Sequence, residues 1–192
     1  MKHIVHSLRT AAGLALACLA LNQCASGPTT SGASASKISA DSRTALNDLY
    51  AQNSKAKELG RKAKGILVFP QIAKGGFIVG GMGGNGAMIR PDGSIREYYQ
   101  TGGLSFGLQA GLQSYGFALF LMDQSALDNV NRAGGVDTGS TPNLVVMDKG
   151  AAKTVSTASV DRGTYAFVFD QSGLMGGIDL QGSKITRIHP GP

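Results

Sequence analysis

Glycine placed inside extended sequence limits the folds open to this chain. Of 192 residues, 28 are Gly, about twice the usual ~7% share. They gather where the pattern is that of strands. Phe77-Ile78-Val79 runs into Gly80, Gly81, Gly83, Gly84 and Gly86, and Leu104 to Gln113 sets Phe106, Leu108, Ala110 and Leu112 against Ser105, Gly107, Gln109, Gly111 and Gln113. Glycine weakens a strand interior unless a sheet must coil tightly or another backbone must come close. With only 6 Pro and with 42% apolar residues, the chain reads as folded rather than as low-complexity disorder. Its length suits one domain plus a short extra segment.

The other segments fill out an α+β expectation. Asp41 to Lys64 has helical period, with Ala45, Leu49, Ala56, Leu59 and Ala63 on one stripe widened by Leu46 and Tyr50. Asp41 or Ser42 could cap it and Gly65 could end it. Gly65 to Pro70 is a continuous apolar run, as in a strand buried on both faces. Ala87 to Arg90, Pro91 to Ser94 and Ile95 to Tyr99 read as strand, turn, strand. Phe117 to Met122 is apolar throughout, so a bend or bulge near Gly116 is expected. Ser125 to Arg132 reads as a short helix capped by Ser125 and stopped by Gly134 or Gly135. Leu144–Met147, Val155–Val160, Tyr165–Phe169 and Ile178–Ile188 are further strands. The sum is a strongly bent antiparallel or barrel-like sheet of about eight strands, with an N-terminal amphipathic helix and a short second helix.

The start of the chain has the order of an export signal. Lys2 and Arg9 precede an apolar run from Ala11 to Leu21, too short to span a bilayer. Leu21-Asn22-Gln23-Cys24 resembles a bacterial lipobox, although Gln23 replaces the usual small residue. The expected organisation is a signal peptide over 1–23, a lipidated Cys24 with a Ser/Ala/Gly tether over 24–40, and one domain over 41–192. Ala25 after the cysteine points to the outer membrane by resemblance to sorted lipoproteins. With Cys18 removed and Cys24 acylated, no disulfide is expected.

Charge is uneven. The chain carries a formal +6, and Lys55, Lys57, Arg61, Lys62, Lys64 and Lys74 stand against Glu58 alone. A basic cluster on an otherwise neutral protein points to an anionic surface, and export favours phospholipid over nucleic acid. The plainer reading is a solvated helix face. Neither catalytic motif has its context. Gly81 to Gly86 fits G-x-G-x-x-G, but a strand and turn follow it instead of a helix. Gly103-Leu-Ser105-Phe-Gly107 fits G-x-S-x-G, but Ser105 lies within an alternating strand, and His189 is the sole histidine beyond the signal. One histidine and scattered acids offer no metal-ligand set. No enzyme, cofactor or metal is expected. The alternatives are an envelope interaction protein with a protein or cell-wall partner, more remotely a hydrolase using Ser105 and His189, and a small outer-membrane barrel.

Four blocks in order resemble the SYLF (Ysc84-like) domain: Ala63 to Pro70; Lys74 to Phe77 with the glycines to Gly86; Gly103 to Gly111; and Ser172 to Ser183. The resemblance spans about Leu46 to Ile188. It implies a non-enzymatic module that binds acidic phospholipids through basic residues of its N-terminal helix. Matched position by position, these are Lys55, Lys57, Arg61, Lys62, Lys64 and Lys74. Family members commonly carry an acidic residue near Tyr115-Gly116 and a Gly-Pro turn at Met147-Asp148-Lys149, so the sheet rim departs from the family there.

Overall fold

Two strands dominate the molecule: β1, Gly65–Ile89, and β2, Ile95–Leu121. The structure is a computed structural model that describes residues 32–132, 134–137, 144–147, 162–172 and 183–192, the side chains of 76–79 and 105–111 excepted. The expected signal, Cys24 and the strand Val155–Val160 lie outside the described residues, as does the start of Ile178–Ile188. The remaining elements are helices α1 (Ala35–Gln52), α2 (Ser54–Gly60) and α3 (Gln124–Val130), and strands β3 (Val136–Asp137), β4 (Leu144–Met147), β5 (Thr164–Ser172) and β6 (Ser183–Ile188).

β1 and β2 pair antiparallel over their whole length. Several strands expected separately are thus fused into these two. The turn between them is the one the sequence predicts: Gly93 takes φ +78°, and the Arg90 and Gly93 amides donate to the Ser94 and Arg90 carbonyls at 2.9 Å each. The other edge of β2 is shared. Tyr98 to Gly103 pairs with β6 and Ser114 to Leu121 with β5, both antiparallel. β3 extends β6, and β4 pairs parallel with β5. The result is an α+β fold, a curled half-barrel sheet preceded by helix.

A strand of 25 residues is about 80 Å long if straight, roughly twice the diameter of a domain this size. β1 therefore folds back on itself, and glycine permits the contact. A Cβ on Gly84 would sit 2.4 Å from the Gln71 carbonyl oxygen, and one on Gly86 would sit 2.3 Å from that of Val68. Real Cβ atoms never come so close, so the approach of the two limbs requires hydrogen at both positions. Register shifts at Phe69/Ile72 and Gly76/Ile78, and at Ser114/Gly116 on the β5 side, bend the sheet as expected near Gly116.

Two apolar clusters follow from this doubling. Leu67, Phe69, Ile72, Met82, Met88, Tyr99, Phe117, Leu119 and Ile185 fill the space between the limbs, and Ala126, Leu127 and Val130 of α3 join them. On the opposite face, Ile66, Val68, Ala118, Phe120, Tyr165 and Phe167 meet the helices. Strand residues of both parities are buried, which explains the unbroken apolar runs at Gly65–Pro70 and Phe117–Met122.

All five residues of the predicted helical stripe are buried, but the helix differs from the expectation in two ways. It begins at Ala35, capped by Ser34, whose hydroxyl accepts from the Lys37 amide at 3.3 Å. Ile38 is buried and extends the apolar face by a turn beyond Asp41, so residues 35–40 are helix and not tether. The helix also breaks at Asn53. That residue's amide donates to the Leu49 carbonyl and ends α1, while its side chain accepts from the Ala56 amide at 3.0 Å and begins α2. α3 begins one residue earlier than expected and is capped by Asp123 instead of Ser125.

Asp123 also joins two elements. It accepts from the Ala126 amide at 2.8 Å, the Ser125 hydroxyl at 2.6 Å and the Gly163 amide, just before β5, at 2.7 Å. Those hydrogen bonds, with Ser125 first, hold its carboxyl down at about 2.

Two measurements check this fold. Gly86→Ala should lower stability in urea unfolding by at least about 2 kcal/mol, whereas Gly81→Ala, with nothing within 4 Å of its Cβ, should change it by less than about 0.5 kcal/mol. Asp123→Ala should cost about 1 to 2 kcal/mol through the lost cap. A carboxyl depressed in the folded state contributes stability that is complete above about pH 4 and is lost as pH falls toward 2. An acid titration of stability should show that loss in the parent chain and less of it in Asp123→Ala.

Candidate functional site

The basic residues are set out by α2 and the turn after it. α2 presents Ala56 and Leu59 to the core, and Ala63 follows them inward. The intervening residues Lys57, Arg61, Lys62 and Lys64 are exposed. The turn is held on both sides: the Lys62 and Ala63 amides donate to the Leu59 carbonyl at 3.0 and 2.9 Å, and the Lys64 amide donates to the Leu121 carbonyl at 2.7 Å. Four cationic side chains therefore surround the C-terminal end of a short helix. The partial negative charge of its terminal carbonyls favours cations there, so the cluster also stabilises the element that carries it.

The other two predicted residues stand apart from these four. Lys55 lies on the first turn of α2, with Nζ 3.0 Å from Glu58 Oε2 and its side chain only 16% exposed. It is engaged in an ion pair. Lys74 is on β1, half-buried and opposite Gln113, ten residues or about 33 Å of strand beyond Lys64.

The apolar stripe of α1 and α2 packs on the sheet, not outward. Among the described residues no helix is long and apolar enough to cross a membrane, and no group of three His, Cys, Asp or Glu side chains converges on one point. Ser105 pairs with Gly80 in the middle of β2, so no turn into a helix lifts it as a nucleophile elbow requires. His189 is exposed beyond the end of β6. The glycines of Gly81–Gly86 continue β1 and open no helix.

Two features escaped the sequence reading. Arg187 Nε lies 2.7 Å from Glu97 Oε2, and the buried Tyr99 hydroxyl lies 2.9 Å from the same carboxylate oxygen and 2.6 Å from Asn131 Oδ1. Burial first, and Glu97 next, push the Tyr99 phenol far above its ordinary range. This cluster ties β6 to β2 and to the end of α3. The i, i+2 spacing of Glu97 and Tyr99 was visible, but their distant partners were not. The second feature is a cleft of about 420 Å³ between the start of α1 and the chain end, lined by Ser34, Asn85, Gln100, Ile188 and His189. The Ala35 amide donates to the carbonyl of Gly191, one of its lining residues, at 2.8 Å.

Residues 102–189 match the model of the Ysc84 family, described as Las17-binding protein actin regulator. The matched stretch begins within β2 and ends just past β6; α1, α2, β1 and the basic cluster precede it. No curated protein matches the chain. The match takes in β2 from Gly102 onward, α3 and the described parts of β3 to β6. Over residues 102–189 the chain is thus similar to the Ysc84 (SYLF) family.

Proposed function

We propose that the protein is a phospholipid-binding module of a bacterial envelope, which docks on anionic headgroups through Lys57, Arg61, Lys62 and Lys64. The observation that supports this most directly is the separation of roles on α2 and its turn. The apolar residues are committed to the core while the four cations are exposed on a short, braced segment. Such a segment adheres to a charged surface without inserting, because no apolar face is left over. Each Lys or Arg near an anionic leaflet contributes about 1 kcal/mol, enough for reversible attachment. Lys55 contributes less, being paired with Glu58. An acyl chain on Cys24 in the outer membrane would hold the domain near that surface, since a single chain gives only marginal binding and a basic patch supplies the second signal.

A protein partner is the second reading, because the family description names one. Recovery of a specific protein from detergent-washed envelopes would favour it.

The chain from Ala25 to Pro192 should co-sediment with vesicles containing anionic phospholipid at low salt, and should release at high salt. Zwitterionic vesicles should recover much less. Replacing Lys57, Arg61, Lys62 and Lys64 by Gln should abolish the anionic preference, whereas Lys55→Gln should have little effect. Unchanged binding by the fourfold variant would overturn this reading.

A further inference from the structure

Doubling brings the two ends of β1 together. A Cβ on Gly65, the first residue of the strand, would lie 3.0 Å from the Met88 sulfur and 3.9 Å from the carbonyl oxygen of Ile89, the last. The residues just outside these ends are Lys64 and Arg90, and both are exposed. With consecutive Cα atoms about 3.8 Å apart, the Lys64 and Arg90 backbones pass within about 12 Å of each other. The basic segment that follows α2 therefore continues onto the turn between β1 and β2.

That turn carries cations of its own. Arg90 precedes it and Arg96 follows it, both exposed. Arg43 of α1 reaches it and donates from Nη2 to the Gly93 carbonyl at 3.2 Å. The carboxylates nearby are each engaged. Asp92 accepts from the Ser94 amide at 2.8 Å, and Glu97 lies 2.7 Å from Arg187 and 3.9 Å from Arg96. On α1, Asp41 is paired with Lys37 at 2.8 Å, and Asp48 is about 140° round the helix from Arg43. On α3, Asp123 accepts from the Ala126 and Gly163 amides and Asp128 from the Gln124 amide group. Arg187 answers Glu97, which leaves Arg43, Arg90 and Arg96 against Asp92 at the turn. The chain beside the turn is described on both sides, α1 on one and the end of β6 with residues 189–192 on the other. Residues 1–31, which join the described chain at Gly32, contain no acid.

These cations are spread over a helix and two turns instead of converging on a pocket, which suits a surface of many anionic headgroups better than one small ligand. A separation of about a Debye length lets both groups act on the same surface. A single strip of charge leaves a body free to roll about it, and a second group beside it fixes which end faces the surface.

We propose that the β1–β2 turn is the second half of the membrane-docking surface: Arg43, Arg90 and Arg96 meet anionic headgroups together with Lys64, so that the turn end of the ribbon faces the bilayer. This rests on the phospholipid-binding reading and deepens it, because it adds residues outside the helix and gives the docked domain an orientation.

Three variants of the full chain test it: Arg90→Gln with Arg96→Gln, Asp92→Asn, and Lys184→Glu as a control. The control removes as much positive charge as the double variant, but Lys184 pairs with Gly102, six rungs of β2 or about 20 Å from Arg96. Asparagine serves a turn as aspartate does, so Asp92→Asn removes the charge and keeps the Ser94 contact. Each chain is sedimented with vesicles of phosphatidylglycerol and phosphatidylcholine and with phosphatidylcholine alone. The ratio of the two affinities is read, so attachment through the apolar run at residues 11–21 cancels.

One charge at an anionic surface changes affinity about fivefold. The double variant should lose at least about fivefold of the anionic preference, Asp92→Asn should gain about fivefold, and Lys184→Glu should change it less than about twofold. Misfolding does not produce a gain, so Asp92→Asn decides the matter if the double variant is unstable. If the turn variants keep the parent's preference while replacement of Lys57, Arg61, Lys62 and Lys64 abolishes it, the turn proposal is wrong and the basic-cluster reading stands. A loss in Lys184→Glu equal to that of the double variant would mean that binding follows net charge and not this end of the molecule, which overturns the proposal. A parent chain with no anionic preference would overturn both.

Discussion

The approach of one limb of β1 to the other, backbone against backbone at Gly84 and Gly86, is the contact on which the rest of the structure depends. Ordinary packed sheets stand about 10 Å apart because side chains fill the gap. Here two positions without Cβ bring the limbs together beside Ile72 and Phe69. A hairpin that would otherwise be long and exposed becomes a two-layered body, with Leu67, Phe69, Met88, Tyr99 and Phe117 enclosed between its limbs. The same constraint recurs across β2 and β5, where a Cβ on Gly116 would lie 2.2 Å from the Phe169 ring.

Once the ribbon is doubled, the remaining elements have few places to go. One limb of β2 accepts β6 and the other β5, because each leaves an unpaired edge. The outer face of the β5 layer is apolar and is covered by α1 and α2, whose stripe is thereby used up. The cations between the stripe positions are thereby turned out from the core. The distribution of charge is thus a consequence of packing. Lys57, Arg61, Lys62 and Lys64 are exposed because Ala56, Leu59 and Ala63 are not.

Much of this was legible in the sequence where the signal was local. The helical stripe, the turn at Pro91 to Ser94, the two-sided burial of Gly65–Pro70 and the bend near Gly116 each rest on neighbours within a few residues. The purpose of the glycines was legible as well, as close approach of backbones, though not which backbones would meet. What was missed required a partner far along the chain or a choice between equivalent caps. Asn53 breaks the helix without disturbing the stripe, so periodicity ran through it. Ser34 wins the cap because Ile38 finds a place in the core, which composition alone, rich in Ser and Ala, concealed. Lys55 was grouped with the other cations although Glu58, one helical turn away, could have been recognised as its partner. The Arg187–Glu97 pair joins residues ninety positions apart and left no trace in the spacing.

The central claim is that the helices stay on the sheet while the exposed cations meet the membrane. Hydrogen exchange of the protein bound to anionic vesicles tests it most directly. Amides of α2, and of Val68 and Phe120 beneath the helices, should keep the protection they have in the free protein. The turn from Arg61 to Lys64 should gain protection. Loss of protection at Val68 and Phe120 on binding would show that the helices leave the sheet to insert, and would contradict the account.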